Sequence, residues 1–189
     1  MPSNVRLHDL EFAESLPAAT IAARVRALGE ELRARFRENR KAAPHTAAPP
    51  PLFLAVLRGA AVFHADLIRA YDGALEIGFL RTSSYVGTES SGEVAVDIPD
   101  DLALAGRDVV LVEDIADSGR TLRVLAEALQ ARDVASLTTV ALLDKPSQRV
   151  VEVDVDLSGF TIGPDFVVGY GLDYDGLGRN LRAIYTKVG

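Results

Sequence analysis

The chain has 189 residues, enough for one domain with a full hydrophobic core and a small appended flap. Its 20 basic and 27 acidic residues give a formal charge of −7, which argues against a nucleic-acid partner. It has no cysteine, so disulfides, thiolate nucleophiles and Cys-ligated metals are excluded.

No apolar run reaches the ~18 residues of a membrane span, so no membrane partner is expected. The opening MPSNVRLHDLEF lacks the basic-then-apolar layout of a secretory signal, and the cytoplasm is the expected location. Ile21, Val25, Leu28, Leu32 and Phe36 recur at spacings of three and four, which predicts an amphipathic helix over 18–38. KAAPHTAAPPP (41–51) reads as a surface connector. PLFLAVL (51–57) is a continuous apolar run, as expected of a strand buried on both faces of a parallel sheet. A helix over 60–71 and a strand over 74–80 follow.

Residues 82–95, TSSYVGTESSGEVA, are rich in Ser, Thr and Gly and suit a mobile flap. RDVVLVE (107–113) reads as a third strand, 119–132 as a helix with Leu122, Leu125, Ala126 and Leu129 inward, and LTTVALL (137–143) as a fourth strand. FVVGY (166–170) and AIYT (183–186) read as further short strands. This alternation predicts an α/β fold with an open, mostly parallel twisted sheet flanked by helices. Ligands in such sheets bind beyond the carboxyl ends of the strands, which directs attention to the loops there.

VVLVEDIADSGRTL (109–122) is the most informative segment. An apolar strand ends at Glu113-Asp114, a turn carries Asp117-Ser118-Gly119, and a helix begins with Thr121 in its first turn. Hydroxyls, a glycine and free N–H groups at a helix start form a phosphate cradle, with Arg120 and Arg123 close by. Glu113 and Asp114 are placed to accept from sugar hydroxyls or to help hold a hard cation. Helix capping alone would not call for three acidic residues in a span of five, because their repulsion needs a ligand or a metal to compensate it.

This segment closely resembles the phosphoribosyl pyrophosphate signature of type I phosphoribosyltransferases. Three further stretches occur in the order of the hypoxanthine-guanine branch: LRGA (57–60), RTSSY (81–85), and LLDKPSQR (142–149) with PDFVVGYGLDYDGLGRNL (164–181). The resemblance covers approximately 50–186. It implies a core sheet over about 52–145, a purine-binding hood over about 146–189 and the flap at 82–95. It also implies transfer of phosphoribosyl from phosphoribosyl pyrophosphate to N9 of a 6-oxopurine, hypoxanthine or guanine, with Mg²⁺.

Carried over residue by residue, the resemblance makes Asp117 the general base acting at purine N7. Glu113, Asp114, Ser118, Gly119, Arg120 and Thr121 hold the sugar phosphate, and Arg58, Gly59 and Arg179 face pyrophosphate. The Arg58-Gly59 bond is the candidate non-proline cis peptide. Lys145 donates to the oxygen on C6, Phe166 stacks on the ring and Val167 offers backbone groups. Glu113, Asp114 and Asp173 serve metal. Arg81, Ser84 and Tyr85 open the flap over the reacting atoms. A homodimer or homotetramer is implied.

A phosphoribosyl pyrophosphate-sensing regulator on the same fold, or a transferase preferring xanthine, would share these features. The regulator is disfavoured by the acidic charge and by the absence of an evident helix-turn-helix. A phosphoacceptor receiver domain needs an acidic pair on an early strand, where this chain reads LAVLRGA.

Overall fold

A computed structural model describes residues 4–42, 49–84, 94–99 and 102–189. The strands are β1 (Val5–Leu7), β2 (Leu10–Leu16), β3 (Leu52–Leu57), β4 (Glu76–Ser84), β5 (Val94–Asp97), β6 (Asp108–Ala116), β7 (Ser136–Asp144), β8 (Leu157–Thr161), β9 (Val167–Val168) and β10 (Ile184–Lys187). The helices are α1 (Ala18–Ala42), α2 (Ala61–Ala70) and α3 (Arg120–Gln130).

The main sheet has the order β5-β4-β3-β6-β7-β8. Every pairing is parallel except β4 with β5, which is antiparallel. The five expected inward residues of α1 are all buried and join α2 in covering one face of this sheet. Leu122, Leu125 and Leu129 of α3 pack on the other face against Leu111, Ala141 and Leu54. With apolar layers on both sides, the central strands β3 and β6 have no solvent-facing side. That is why they read as unbroken apolar runs rather than alternating ones.

From β3 the chain moves outward to β4, whereas β6 returns to the opposite side of β3. The sheet therefore has its topological switch point between β3 and β6. The loops that leave these two strands, 58–60 and 117–119, border the crevice where such sheets bind ligands.

The second layer differs from expectation. The sequence suggests short strands at FVVGY and AIYT within the hood and none before the first helix. Instead β9 and β10 join the N-terminal hairpin in a separate antiparallel sheet of order β1-β2-β10-β9. β8, inside the expected 146–189 hood, belongs to the main sheet. A short antiparallel layer closes by pairing chain ends, and no local pattern announces such a partner. The start of the expected flap is also more regular than its composition suggests. β4 runs on to Ser84 and pairs with β5 in the register Arg81↔Asp97 to Ser84↔Val94. The apolar–polar alternation of β4 is blurred because Ile77 and Phe79 stand about half exposed. Tyr85 and most of the connector at 41–51 lie outside the described residues.

Candidate active site

The loop between β6 and α3 lines a cleft of about 240 Å³ formed by Glu113, Ile115, Ala116, Asp117, Ser118, Gly119, Thr121 and Leu122. Gly119 caps α3 with φ +84, a left-handed conformation that favours glycine. A side chain there would also strike the carbonyl of Val151 at 2.8 Å. The turn thus needs glycine twice, for its conformation and for the packing behind it. The Ser118 hydroxyl lies 3.5 Å from the Arg120 N–H, and the Arg120 side chain is exposed to solvent.

Glu113 and Asp114 sit side by side at the end of β6, each more than nine-tenths buried. Burial pushes the Glu113 carboxyl well above the usual range, and the neighbouring Asp114 charge raises it further. Burial raises Asp114 too, opposed by hydrogen bonds from Glu113 and from the Ile115 N–H (2.8 Å) and by the charge of Arg179. Both carboxyls are thus displaced upward, Glu113 the more strongly. One Glu113 oxygen, Oε2, is buried without a hydrogen-bond partner. Such an orphan costs free energy, which a bound ligand or cation would offset.

The β3 loop closes on this pair from the other side of the switch point. A Cβ on Gly59 would lie 1.5 Å from Asp114 Oδ2, so only glycine fits. The Gly59 carbonyl in turn fills the place of a Cβ on Gly171, at 2.1 Å. Three loops thus meet through two glycines. The non-proline cis peptide is Leu57–Arg58, one bond earlier than the expected Arg58-Gly59. The parallel ladder with β4 persists to Leu57↔Arg81, so this bond follows the last paired residue of β3. The Arg58 side chain is exposed.

Arg179 donates to the Gly171 carbonyl (2.7 Å) and pairs with Asp173 (2.6 Å), which sets it against the acidic pair. Asp173 also accepts from the Gly176 N–H (2.8 Å). Asp173, which the resemblance assigns to a second magnesium, thus stands apart from Glu113 and Asp114. Asp173 is engaged by its own turn and by Arg179, and among the described residues no three acidic or histidine side chains converge as a metal cage.

Lys145 is 4% exposed, an unusual depth for an ammonium group. Its ammonium donates to the Asp165 carbonyl (2.8 Å) and approaches the Pro164 carbonyl (3.4 Å). It stands 3.8 Å from Asp117 Oδ2. One buried cation therefore links the candidate base to the loop that carries Phe166. Phe166 itself is 44% exposed, as a ring must be to stack on a ligand. It is held from behind by Phe12 (6.1 Å between centroids) and edge-on by Tyr174 (5.9 Å), whose hydroxyl donates to Asp9 (2.8 Å). Val167 is buried and paired with Thr186 of β10. Arg81 is exposed at the β4–β5 edge, and Ser84 pairs with Val94.

Sequence reasoning missed Arg149. Its guanidinium donates to the carbonyls of Ala116 and Asp117 and pairs with Asp144. Nothing in LLDKPSQR distinguishes it from a surface arginine. Phe12 and Tyr174 were also missed, because their partners lie at the opposite end of the chain.

Residues 23–175 match the family model described as phosphoribosyl transferase domain. The chain is 52% identical over 132 residues to the hypoxanthine-guanine phosphoribosyltransferase of Lactococcus lactis, covering 69% of this chain and 72% of that protein. It is 41% identical over 178 residues to the Bacillus subtilis protein of the same name, covering 94% and 93%. Among solved structures, a hypoxanthine phosphoribosyltransferase from Staphylococcus aureus superposes with a TM-score of 0.80 at 38% identity, covering 93% of this chain and 90% of that one.

Proposed function

The chain belongs to the hypoxanthine-guanine phosphoribosyltransferase family, and we propose that it transfers phosphoribosyl from phosphoribosyl pyrophosphate to N9 of hypoxanthine or guanine in purine salvage. The observation that carries this reading is the single chain of contacts through Lys145, which brings a carboxylate beside the phosphate cradle to the edge of an aromatic base platform.

The cradle at 117–121 receives the 5-phosphate through backbone N–H groups and hydroxyls, as helix N-termini do. Glu113 and Asp114 then lie at the ribose, where they accept from the 2- and 3-hydroxyls. Arg179 and the backbone of 58–59 face the pyrophosphate. The donor set fits Mg²⁺. This ion keeps most of its waters and takes one or two carboxylates plus substrate oxygens rather than a protein cage. The orphaned Glu113 oxygen and Asp114 supply such carboxylates, and Asp173 a separate one. When bound with the substrate, the metal offsets the charge that develops on the departing pyrophosphate.

The base stacks on Phe166, and Lys145 donates its remaining N–H to the oxygen at C6. Asp117 accepts the proton at N7 as N9 forms its bond to C1 of the ribose. Once Lys145 polarises the base oxygen, the same contact acidifies the proton that Asp117 takes. Arg81, Ser84 and Tyr85 belong to the closing segment that excludes water from the reacting atoms. An amine at C6 offers Lys145 a donor instead of an acceptor, so adenine is rejected. The protein acts as a homodimer or homotetramer.

The test is nucleotide formation from phosphoribosyl pyrophosphate with hypoxanthine, guanine, xanthine and adenine in parallel, with and without Mg²⁺. Magnesium-dependent turnover of hypoxanthine or guanine with adenine inert is the expected result. Tight phosphoribosyl pyrophosphate binding without turnover of any base would replace the enzyme by a regulator on the same fold.

A further inference from the structure

Three consecutive carbonyls of the phosphate cradle are tied down from behind by one segment. The Ala116 carbonyl accepts from the Lys145 N–H (2.9 Å) and from the Arg149 guanidinium. The Asp117 carbonyl accepts from Arg149 as well. The Ser118 carbonyl accepts from the N–H groups of Val150 (3.0 Å) and Val151 (3.3 Å). In a planar trans peptide the N–H points opposite to the C=O. Fixing these three carbonyls toward 145–151 therefore turns the N–H groups of Asp117, Ser118 and Gly119 the other way, into the cleft. None of the three donates to an acceptor among the described residues.

Arg149 is the only side chain in this brace. Its guanidinium is held in place by Asp144 at the end of β7, and its Cδ packs at 3.2 Å from where a Cβ on Gly119 would be. It is largely buried, with 16% of its side chain exposed. A planar fork with several donors can hold two adjacent carbonyls and a carboxylate at once, and a lysine cannot reproduce that geometry. We infer that Arg149 is a positioning residue which, with Asp144 as its counter-ion, presets the backbone of 116–119 as an anion nest for the sugar phosphate and aims Asp117 from its main chain. This inference rests on the reading of the cleft as a phosphoribosyl site. Arg149 touches no substrate in that reading and acts through the loop.

The experiment measures ribose 5-phosphate binding by calorimetry, with the KM values for phosphoribosyl pyrophosphate and hypoxanthine, in the full chain and in Arg149→Met, Arg149→Lys and Asp144→Asn. Ribose 5-phosphate probes the nest without pyrophosphate or metal. Arg149→Met is expected to weaken its binding on the order of 10- to 100-fold, the scale of a lost charge-assisted contact. The KM for phosphoribosyl pyrophosphate should rise in parallel while that for hypoxanthine stays close to the parent value. Arg149→Lys should recover part of the loss. Unchanged ribose 5-phosphate affinity in Arg149→Met, or an equal loss on both substrates, would overturn the inference. If Arg149→Met does not fold, Asp144→Asn decides. It keeps the guanidinium but frees it, and an unchanged affinity there is equally fatal. The two readings fail separately. Turnover in the parent with no effect of Arg149 removes the brace and keeps the enzyme. Ribose 5-phosphate binding that depends on Arg149, without turnover of any base, keeps the brace and removes the enzyme.

Discussion

The phosphate cradle takes its groups from one short run, 113–121, at the end of a strand buried in the main sheet. The base platform is assembled from pieces far apart in the chain. Phe166 leans on Phe12, and Tyr174 reaches Asp9, 165 residues away. The difference shows in the family match as well. Residues 23–175 contain the whole cradle but omit β1, β2 and β10, three of the four strands of the sheet behind Phe166. Phosphate recognition by backbone N–H groups demands one local conformation. A stacking surface for a planar base demands only a ring at the right height, which many scaffolds can supply.

The largest effect should come where the two regions touch. Asp117→Asn is expected to lower kcat by about 10²- to 10⁴-fold, the usual weight of a general base, while phosphoribosyl pyrophosphate still binds. Near-parent turnover in the rate assay would take Asp117 out of that role. On the base side alone, Phe12→Ala removes a fully buried ring and should cost about 3–5 kcal/mol of stability by denaturant unfolding. It should raise the hypoxanthine KM and leave the ribose 5-phosphate affinity unchanged. A matching loss at both ends would mean that the two regions are one mechanical unit.

A smaller effect should appear on the phosphate side as a gain. The folded Glu113 carboxyl is raised above its unfolded value, so the native state binds more protons than the unfolded state does. Stability from this group therefore falls as pH climbs from the ordinary glutamate range toward the raised one. Glu113→Gln carries no such penalty. Its melting temperature should exceed the parent's by a margin that widens as pH rises above the ordinary glutamate range, while turnover is lost. A margin that stays constant with pH would contradict the upward displacement of this carboxyl.

The same contrast explains what could be read from the sequence. The parallel sheet was legible because β3, β6 and β7 are buried on both faces and spell this out as apolar runs. The cradle was legible because Glu113 to Thr121 carry its chemistry in one stretch. The N-terminal hairpin was not, since VRL and LEFAESL become strands through pairing with each other and with β10 at the far end of the chain. Lys145 could be named from its motif, yet nothing local showed that it is buried between Asp117 and the 164–165 carbonyls. Arg149 was invisible because two of its three partners are main-chain carbonyls, which leave no trace in the pattern of side chains.

Lys145 is the residue on which the account turns, because it joins cradle and platform. The most direct measurement is the ratio of kcat/KM for hypoxanthine to that for adenine, in the parent and in Lys145→Ala. A strong preference for hypoxanthine that collapses in the variant, through a base KM raised about 10- to 100-fold, is the predicted result. A preference that survives the loss of Lys145 would contradict the claim that this buried cation reads the base.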